Sequence, residues 1–171
     1  MFHLICERER EREMERAREA LRVGDHLDEA VERLPVRAHR AGEEASFYEG
    51  FALRGIRVQR IQRGFLCCSF TVPPRLTDVK GQMASGAIAN LVDELGAAAL
   101  TSQGHHIKVS VDMNIAFLSP AKLGDELEIL SRVLGHKGGY SGTHVLLRNK
   151  TTGQVIAEGR HSMFGNLKSK I

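Results

Sequence analysis

Residues 83 to 100 read "MASGAIANLVDELGAAAL", and the predicted architecture is built around this segment. It is rich in Ala, Gly, Ile, Leu and Val, and it predicts a helix from about Met83 to Ser102 that stops near Gly104. Small residues that would let strands approach the helix closely recur along it: Gly86, Ala87, Ala89, Gly96, Ala97 and Ala98. Asp93 stands in the middle of this apolar helix. Because burying a carboxylate without partners costs several kcal/mol, we expect the acid to be retained for a chemical reason.

The segments on either side of this helix alternate in the manner of antiparallel strands. Before it, "RGIRVQRI" and "FLCCSFTVP" predict two strands with a turn at Gly64; after it, "KVSVDMNIAFL", "DELEILSRVL", "YSGTHVLLRN" and "VIAEGRHSMF" predict four more. Strict alternation in the first of these four places Val109, Val111, Met113, Ile115 and Phe117 on one face, and Ser110, Asp112 and Asn114 on the other. The order predicts an α+β fold in which an antiparallel sheet wraps around one long central helix. Such a sheet leaves its edge and outer face for another copy, so we expect a homodimer or homotetramer.

The amino-terminal part differs from the rest in composition. Residues 7–16, "EREREREMER", have alternating charges and no apolar face, which is typical of a solvated helix or of disorder. A GA dinucleotide repeat would encode such a run, and we therefore expect Met14 to be the natural start. Apolar residues from Arg16 to Leu34 predict an extra amino-terminal helix that ends at Pro35, and strands are expected from Phe47 onward. The predicted organisation is a charged extension and helix over residues 1–45, a globular domain over 46–168 and a tail over 169–171.

Composition excludes several classes of protein. With 24 basic and 21 acidic side chains the net charge is only +3, and 5% aromatic content without Trp offers little for base stacking, so no nucleic-acid partner is expected. Three cysteines cannot all pair, and Cys67 and Cys68 would point to opposite faces of a strand, which favours reduced thiols in the cytoplasm. No apolar run is long enough to span a bilayer. The eight histidines lack metal-ligand spacing, and no metal is predicted.

Three segments occur in register with a known family: "GAIANLVDELGAAAL", "VSVDMNIAFLSPAKLGDELEI" and "NKTTGQVIAEGRHSMF". From about Arg54 to Phe164 the chain resembles the small hotdog-fold acyl-CoA thioesterases of the phenylacetyl-CoA-thioesterase type. The resemblance implies a hotdog fold that hydrolyses acyl-CoA to the acid and free CoA, with CoA as part of the substrate and no cofactor. Asp93 falls on the catalytic carboxylate of the family, which acts as nucleophile or general base. The helix start at Ser85 and Gly86 falls on the oxyanion hole, where backbone N–H groups receive the developing negative charge.

The resemblance also implies roles for residues around Asp93. Ser110 matches a family serine that orients the water or the acyl carbonyl, and Asp112 matches a CoA-contacting position. Asp78 stands where relatives carry an Asn that holds the nucleophilic water; a second carboxylate there would raise the pKa of Asp93 or hold the water itself. Asn90, one turn before Asp93, is either its orienting partner or a structural hydrogen-bonding residue.

Two further segments, "FLSPAK" and "GHKGGY", match the CoA-contacting segments of the family. Lys122 and Lys137 would offer charge to the CoA phosphates and Gly138 and Gly139 their backbone N–H groups, with ordinary surface lysines on hairpin turns as the alternative. The predicted substrate-binding and CoA-binding residues are Asn90, Asp112, Phe117, Ser119, Pro120, Lys122, His136, Lys137, Gly138, Gly139 and Tyr140. One departure is the helix start, because many relatives have His-Gly-Gly where this chain has Ala84-Ser85-Gly86.

Two other functions compete with thioester hydrolysis. In one, the altered helix start has abolished activity and the protein is a non-catalytic acyl-CoA-binding or ligand-binding hotdog protein. In the other it is a hotdog dehydratase, which usually needs a His near the helix, and this helix has none until His105. The terminal Ser169-Lys170-Ile171 resembles the peroxisomal Ser-Lys-Leu address, so import into peroxisomes is the alternative to a cytoplasmic location.

Overall fold

The computed structural model describes residues 2–22, 25–40, 43–105 and 109–165. The chain forms two compact units, Met1–Arg40 and Ala41–Ile171. The division predicted between residues 45 and 46 falls inside the second unit. Ser169-Lys170-Ile171 lies outside the described residues, so the peroxisomal address stays a prediction.

The described residues of the first unit form two helices, where the sequence predicted one helix over residues 16–34. Helix α1 spans Phe2–Leu21 and helix α2 spans Asp25–Glu32. The alternating charges of residues 7–16 lie on α1, so of the two expectations for that run the solvated helix is confirmed. Arg18 Nη1 lies 3.2 Å from Glu15 Oε2 in an exposed pair of the kind that contributes little to stability.

The second unit begins with a short helix, α3, over Phe47–Leu53. The prediction of strands from Phe47 onward is wrong here, because a capping box starts a helix. The Ser46 hydroxyl accepts a hydrogen bond from the Glu49 backbone N–H at 3.1 Å, and the Glu49 carboxylate accepts one from the Ser46 N–H at 2.6 Å. The Ser-x-x-Glu spacing was visible in the sequence.

One six-stranded antiparallel sheet makes up most of the second unit. Its strands are β1 Arg57–Gln62, β2 Phe65–Thr71, β3 Val109–Phe117, β4 Glu126–Lys137, β5 Tyr140–Asn149 and β6 Val155–Phe164. They are hydrogen-bonded in the order β1-β2-β4-β5-β6-β3. The long helix α4, Ser85–Thr101, packs on β2 through β6, after a single turn of 3-10 helix at Pro74–Leu76. The predicted α+β hotdog fold is confirmed.

The core lies between α4 and the inner face of the sheet. From α4 it takes residues at helical spacing, and full burial of each large aliphatic side chain contributes roughly 1.5–3 kcal/mol. These residues are Ile88, Leu91, Val92, Leu95 and Ala99. On β2, Cys68 is buried and Cys67 half-buried, as expected for neighbours on opposite faces. Burial, together with the neighbouring Cys67, raises the pKa of Cys68 to about 11, so this thiol stays protonated at neutral pH.

Glycines allow α4 to approach the sheet, but not all of those predicted. The prediction of a close approach is confirmed at Gly96, because a Cβ there would lie 2.7 Å from Thr143 Oγ1. The expectation for Gly86 is wrong, since no strand atom among the described residues lies within 4 Å of a Cβ built there. The sequence analysis missed Gly159 on β6, where a Cβ would lie 2.5 Å from Val92 Cγ1. The close approach therefore depends on a strand glycine as well as on a helix glycine.

Candidate active site

The Asp93 carboxylate lies in the middle of α4 and faces β3 and β6. Its Oδ1 atom accepts a hydrogen bond from Ser110 Oγ at 2.8 Å. His161 Nε2 lies 3.2 Å from the same oxygen. The expectation of a buried acid is wrong for the single subunit, because the Asp93 side chain is 39% exposed. The sheet covers only one side of α4, and Asp93 lies at the margin of the covered side.

A β-bulge in β3 turns Ser110 toward the helix. The pairing of β3 with β6 matches Ser110 with Met163 and Asp112 with Ser162, so the register shifts between Ser110 and Asp112. Directly paired residues share a face of the sheet, and Met163 is buried in the core. Ser110 is therefore on the inner face, with Met113, while Asp112 is on the outer face. The predictions that Ser110 and Asp112 share a face, and that Ser110 lies opposite Met113, are wrong because of this extra residue.

His161 is the residue of this site that the sequence analysis missed. Its side chain is completely buried, and neither ring nitrogen makes a well-formed hydrogen bond within the described part of the chain. Burial lowers the pKa of His161, although the neighbouring Asp93 acts in the opposite direction. A neutral imidazole therefore lies behind the carboxylate. The alternation of β6 gave a usable signal, since the apolar Met163 and the small Gly159 flank His161 at two-residue spacing on the same face.

We expect the buried imidazole to make the protein less stable in acid. The ordinary pKa of 6.5 applies to the unfolded chain, and the folded pKa is lower, so the unfolded chain binds more protons as the pH falls through that value. The free energy of unfolding should therefore fall between about pH 7.5 and pH 5, and His161→Gln should lose less of it. Urea unfolding of both proteins at the two pH values measures this. Equal losses in wild type and variant would contradict the assignment.

The start of α4 offers two backbone donors. Ala84 occupies the N-cap without a side-chain hydrogen bond, and the N–H groups of Ala87 and Ile88 both donate to Ala84 O, at 2.9 and 3.1 Å. The N–H groups of Ser85 and Gly86 have no acceptor in the described part of the chain. Both residues are exposed. Unpaired N–H groups at the positive end of a helix dipole suit an oxyanion.

A cavity of about 310 Å³ lies beside this helix start. Its walls combine Ser85 with three of the residues predicted to contact CoA, Phe117, Ser119 and Pro120. A backbone hydrogen bond connects the residues before α4 to the segment after Phe117, since the Met83 N–H donates to Ala121 O at 2.8 Å. Lys122 follows; its side chain is exposed, and it forms no ion pair with any described carboxylate.

The other predicted CoA segment forms the turn between β4 and β5. Gly138 has a φ of +58°, which suits a tight turn. His136 is held by Ser141 Oγ at 2.7 Å and by Gln103 Oε1 at 2.8 Å, and Lys137 is exposed. The Tyr140 ring packs on Phe164, with 4.9 Å between the ring centres.

A single subunit does not bring the two predicted CoA segments together. Tyr140 pairs with Phe164, and Phe164 with Val109, whereas Phe117 pairs with Ala157. An extended strand from residue 157 to residue 164 spans about 23 Å. The turn of residues 138–139 and the cavity beside Phe117 therefore lie at opposite ends of the sheet.

Two other predicted site residues have local roles. Asp78 Oδ1 accepts hydrogen bonds from the N–H groups of Lys80 and Gln82, at 2.8 and 3.0 Å, and so fixes the loop before α4. Asn90 does not orient Asp93, because its buried Nδ2 has no hydrogen-bond partner in the described residues. Ser110 from a different strand supplies that hydrogen bond instead. No cluster of three or more His, Cys, Asp and Glu that could hold a metal occurs in the described residues.

No helix in the described part of the chain is long and apolar enough to span a membrane.

Residues 81–156 match the family described as the thioesterase superfamily. Acyl-coenzyme A thioesterase 13 from Homo sapiens is 42% identical over 101 residues, which are 58% of this chain and 71% of that protein. The zebra fish thioesterase superfamily member 2 crystal structure superposes with a TM-score of 0.66 at 30% identity, covering 71% of this chain and 88% of that one. For member 2 from Mus musculus the TM-score is 0.64 at 36% identity, covering 68% and 87%. The chain therefore belongs to the hotdog-fold acyl-CoA thioesterases of the thioesterase superfamily.

Proposed function

We propose that the protein hydrolyses acyl-CoA thioesters to the free acid and CoA, with Asp93 as nucleophile or general base. The observation that carries the proposal is the Asp93 carboxylate, held by Ser110 Oγ at 2.8 Å on the central helix of a thioesterase fold. The similarity to acyl-coenzyme A thioesterase 13 supports acyl-CoA as the substrate class. CoA is then part of the substrate, and the reaction needs no cofactor.

The chemistry follows from the groups around the carboxylate. As a general base, Asp93 takes a proton from water while the water oxygen attacks the thioester carbon, and Ser110 orients the carboxylate. As a nucleophile, Asp93 attacks that carbon itself and water later hydrolyses the resulting anhydride. In both routes the C–S bond breaks and CoA leaves as a thiolate that takes up a proton. The carbonyl oxygen becomes negative, and the N–H groups of Ser85 and Gly86 receive it.

These two halves of the machinery are too far apart within one subunit. Asp93 follows Ser85 by eight residues on the same helix, which corresponds to about 12 Å along the axis. One thioester carbonyl cannot reach the carboxylate and the amides of the same helix start together. The site therefore requires the helix start of a second copy.

Strand β3 offers the edge at which that copy would bind. It is the last strand of the sheet, and Val109, Val111 and Met113 are 73%, 50% and 39% exposed. Antiparallel pairing of two β3 edges about a two-fold axis places the Val109 end of one copy beside the Phe117 end of the other. It thereby brings Asp93 and Ser110 of one subunit toward the helix start and cavity of its partner. The turn carrying Lys137 likewise approaches the loop carrying Lys122, where both would bind the CoA phosphates.

A complementation experiment tests the shared site. Asp93→Ala and Gly86→Val should each be inactive, the second because a β-branched side chain fills the approach to the amides. Each hybrid dimer of the two variants has one intact site of its two, so the purified hybrids should show about half of wild-type activity. Co-expression with two affinity tags and assay of the doubly purified material measures this. If the site lay within one subunit, no activity would return.

Thiol release from a panel of acyl-CoAs tests the reaction itself. The non-catalytic alternative predicts that acyl-CoA binds without release of free CoA. The dehydratase alternative was disfavoured in the sequence because no His lay near the helix, but His161 from β6 does lie beside Asp93. Its side chain is completely buried behind the carboxylate, so it acts through Asp93 and not on a substrate. Turnover of saturated acyl-CoAs, which have no hydroxyl group to eliminate, separates hydrolysis from dehydration.

A further inference from the structure

A basic cleft lies at the edge of the sheet remote from Asp93. Its volume is about 330 Å³, and Arg54, Arg57 and Arg75 all line it, from the end of α3, the start of β1 and the turn of 3-10 helix after β2. Strand β1 is one edge of the sheet and β3 the other. With neighbouring strands about 4.8 Å apart, the two edges are on the order of 24 Å apart along the curved sheet, and none of the residues that line the cleft belongs to the Asp93 site. The cleft is therefore distinct from the Asp93 site of the same subunit.

The positive charge of this cleft is not neutralised within the described part of the chain. The one carboxylate that lines it belongs to Glu126, whose Oε1 is bonded to Lys150 Nζ at 2.6 Å. None of the three arginines forms an ion pair with a described carboxylate. Three guanidinium groups around one cleft repel each other, and a bound anion would relieve that repulsion.

Two donor groups of the cleft suit an anion, one on a side chain and one on the backbone. The Arg75 guanidinium is fixed in place, because its Nε donates to Phe51 O at 2.5 Å and its Nη2 donates to Arg54 O. Gly55, which also lines the cleft, has a φ of +105°, and its N–H makes no hydrogen bond within the described residues. An anchored guanidinium and an unpaired N–H are the donors that phosphate-binding sites use.

We propose that this cleft binds a phosphate group. Arginine presents paired N–H donors that match two phosphate oxygens, and a doubly negative group offsets the excess charge of the cleft. The phosphate could belong to a separate phosphorylated compound or to a CoA molecule bound at a neighbouring copy. The proposal does not depend on thioester hydrolysis.

Titration of the full chain with inorganic phosphate, followed by ³¹P NMR, tests the proposal. Arg54→Gln/Arg57→Gln should weaken phosphate binding about tenfold or more, since the variant loses two charged hydrogen-bond donors of the cleft. The control is Arg132→Gln/Arg160→Gln, which removes the same charge from exposed positions outside the cleft and should bind phosphate like the wild type. Arg75 is not substituted, because its guanidinium donates hydrogen bonds to the carbonyl groups of Phe51 and Arg54 at the end of α3.

Three outcomes are informative. Absence of binding, or equal weakening by the two double variants, would overturn the proposal. Loss confined to Arg54→Gln/Arg57→Gln supports it, and a second titration with CoA present then identifies the source. Displacement of cleft-bound phosphate by CoA assigns the site to a phosphate of CoA, whereas its retention assigns the site to a separate phosphorylated compound. Thiol release should stay unchanged in the double variant in the second case.

Discussion

Replacing Asp93 with alanine is expected to lower kcat/KM for acyl-CoA hydrolysis about 10³-fold and to leave the fold intact. The variant loses the group that activates water or attacks the thioester, whereas the side chain contributes little to packing because it is 39% exposed. Asp93→Asn sharpens the test, since the amide keeps the shape and can still accept from Ser110 Oγ but cannot take a proton. Thiol release under saturating and limiting acyl-CoA measures kcat and kcat/KM separately.

Glu94 gives a matched control on the same helix. It is the next acid along the chain, and it faces α3 instead of β3: burial raises its pKa, and so do the neighbouring Asp93 and Glu49. A raised pKa means that the folded state opposes ionisation, so above the ordinary pKa of 4.5 this group lowers stability. Glu94→Gln should therefore keep its activity and unfold at a higher urea concentration at neutral pH. Wild-type turnover by Asp93→Ala, or equal losses in the two variants, would contradict the role of Asp93.

Local pattern was enough to predict the main elements of the second unit. The apolar run around Asp93 predicted α4, and two-residue alternation predicted the six strands. Both periodicities can be read from residues that are adjacent in the sequence. The same logic failed at Phe47, where the capping box of Ser46 and Glu49 overrides an apolar, aromatic stretch. It also failed for the first unit, where one periodic pattern proved to be two helices.

The geometry of the site depended on information that one strand does not carry. Alternation alone put Ser110 on the same face as Asp112, but the bulge opposite β6 reverses the order after Ser110. Whether an extra residue is accommodated is decided by the pairing of two strands, which come from distant parts of the sequence. His161 is hidden for the same reason, since its closeness to Asp93 arises only when β6 packs under α4.

Gly159→Ala is expected to destabilise the protein by about 2 kcal/mol, because α4 leaves no room for a side chain there. The new Cβ would lie 2.5 Å from Val92 Cγ1 and 2.9 Å from Val92 Cγ2. Val92 is completely buried, and a β-branched side chain cannot turn away without leaving its rotamer. Gly142→Ala on β5 is the control, since a Cβ there meets its nearest neighbour, Leu134 Cβ, only at 4.0 Å.

A second substitution shows whether that clash is the cause. Val92→Ala removes both methyl groups that the new Cβ would meet, and on its own it leaves a cavity that costs about 2 kcal/mol. In the double variant the added methyl occupies part of that cavity. The double variant should therefore lose about 1–3 kcal/mol less unfolding free energy than the sum of the two single losses. Urea unfolding of the wild type, both single variants and the double variant measures the coupling. Additive losses would mean that Gly159 is needed for the conformation of β6 and not for the approach of α4, and the close packing that positions Asp93 would then need another explanation.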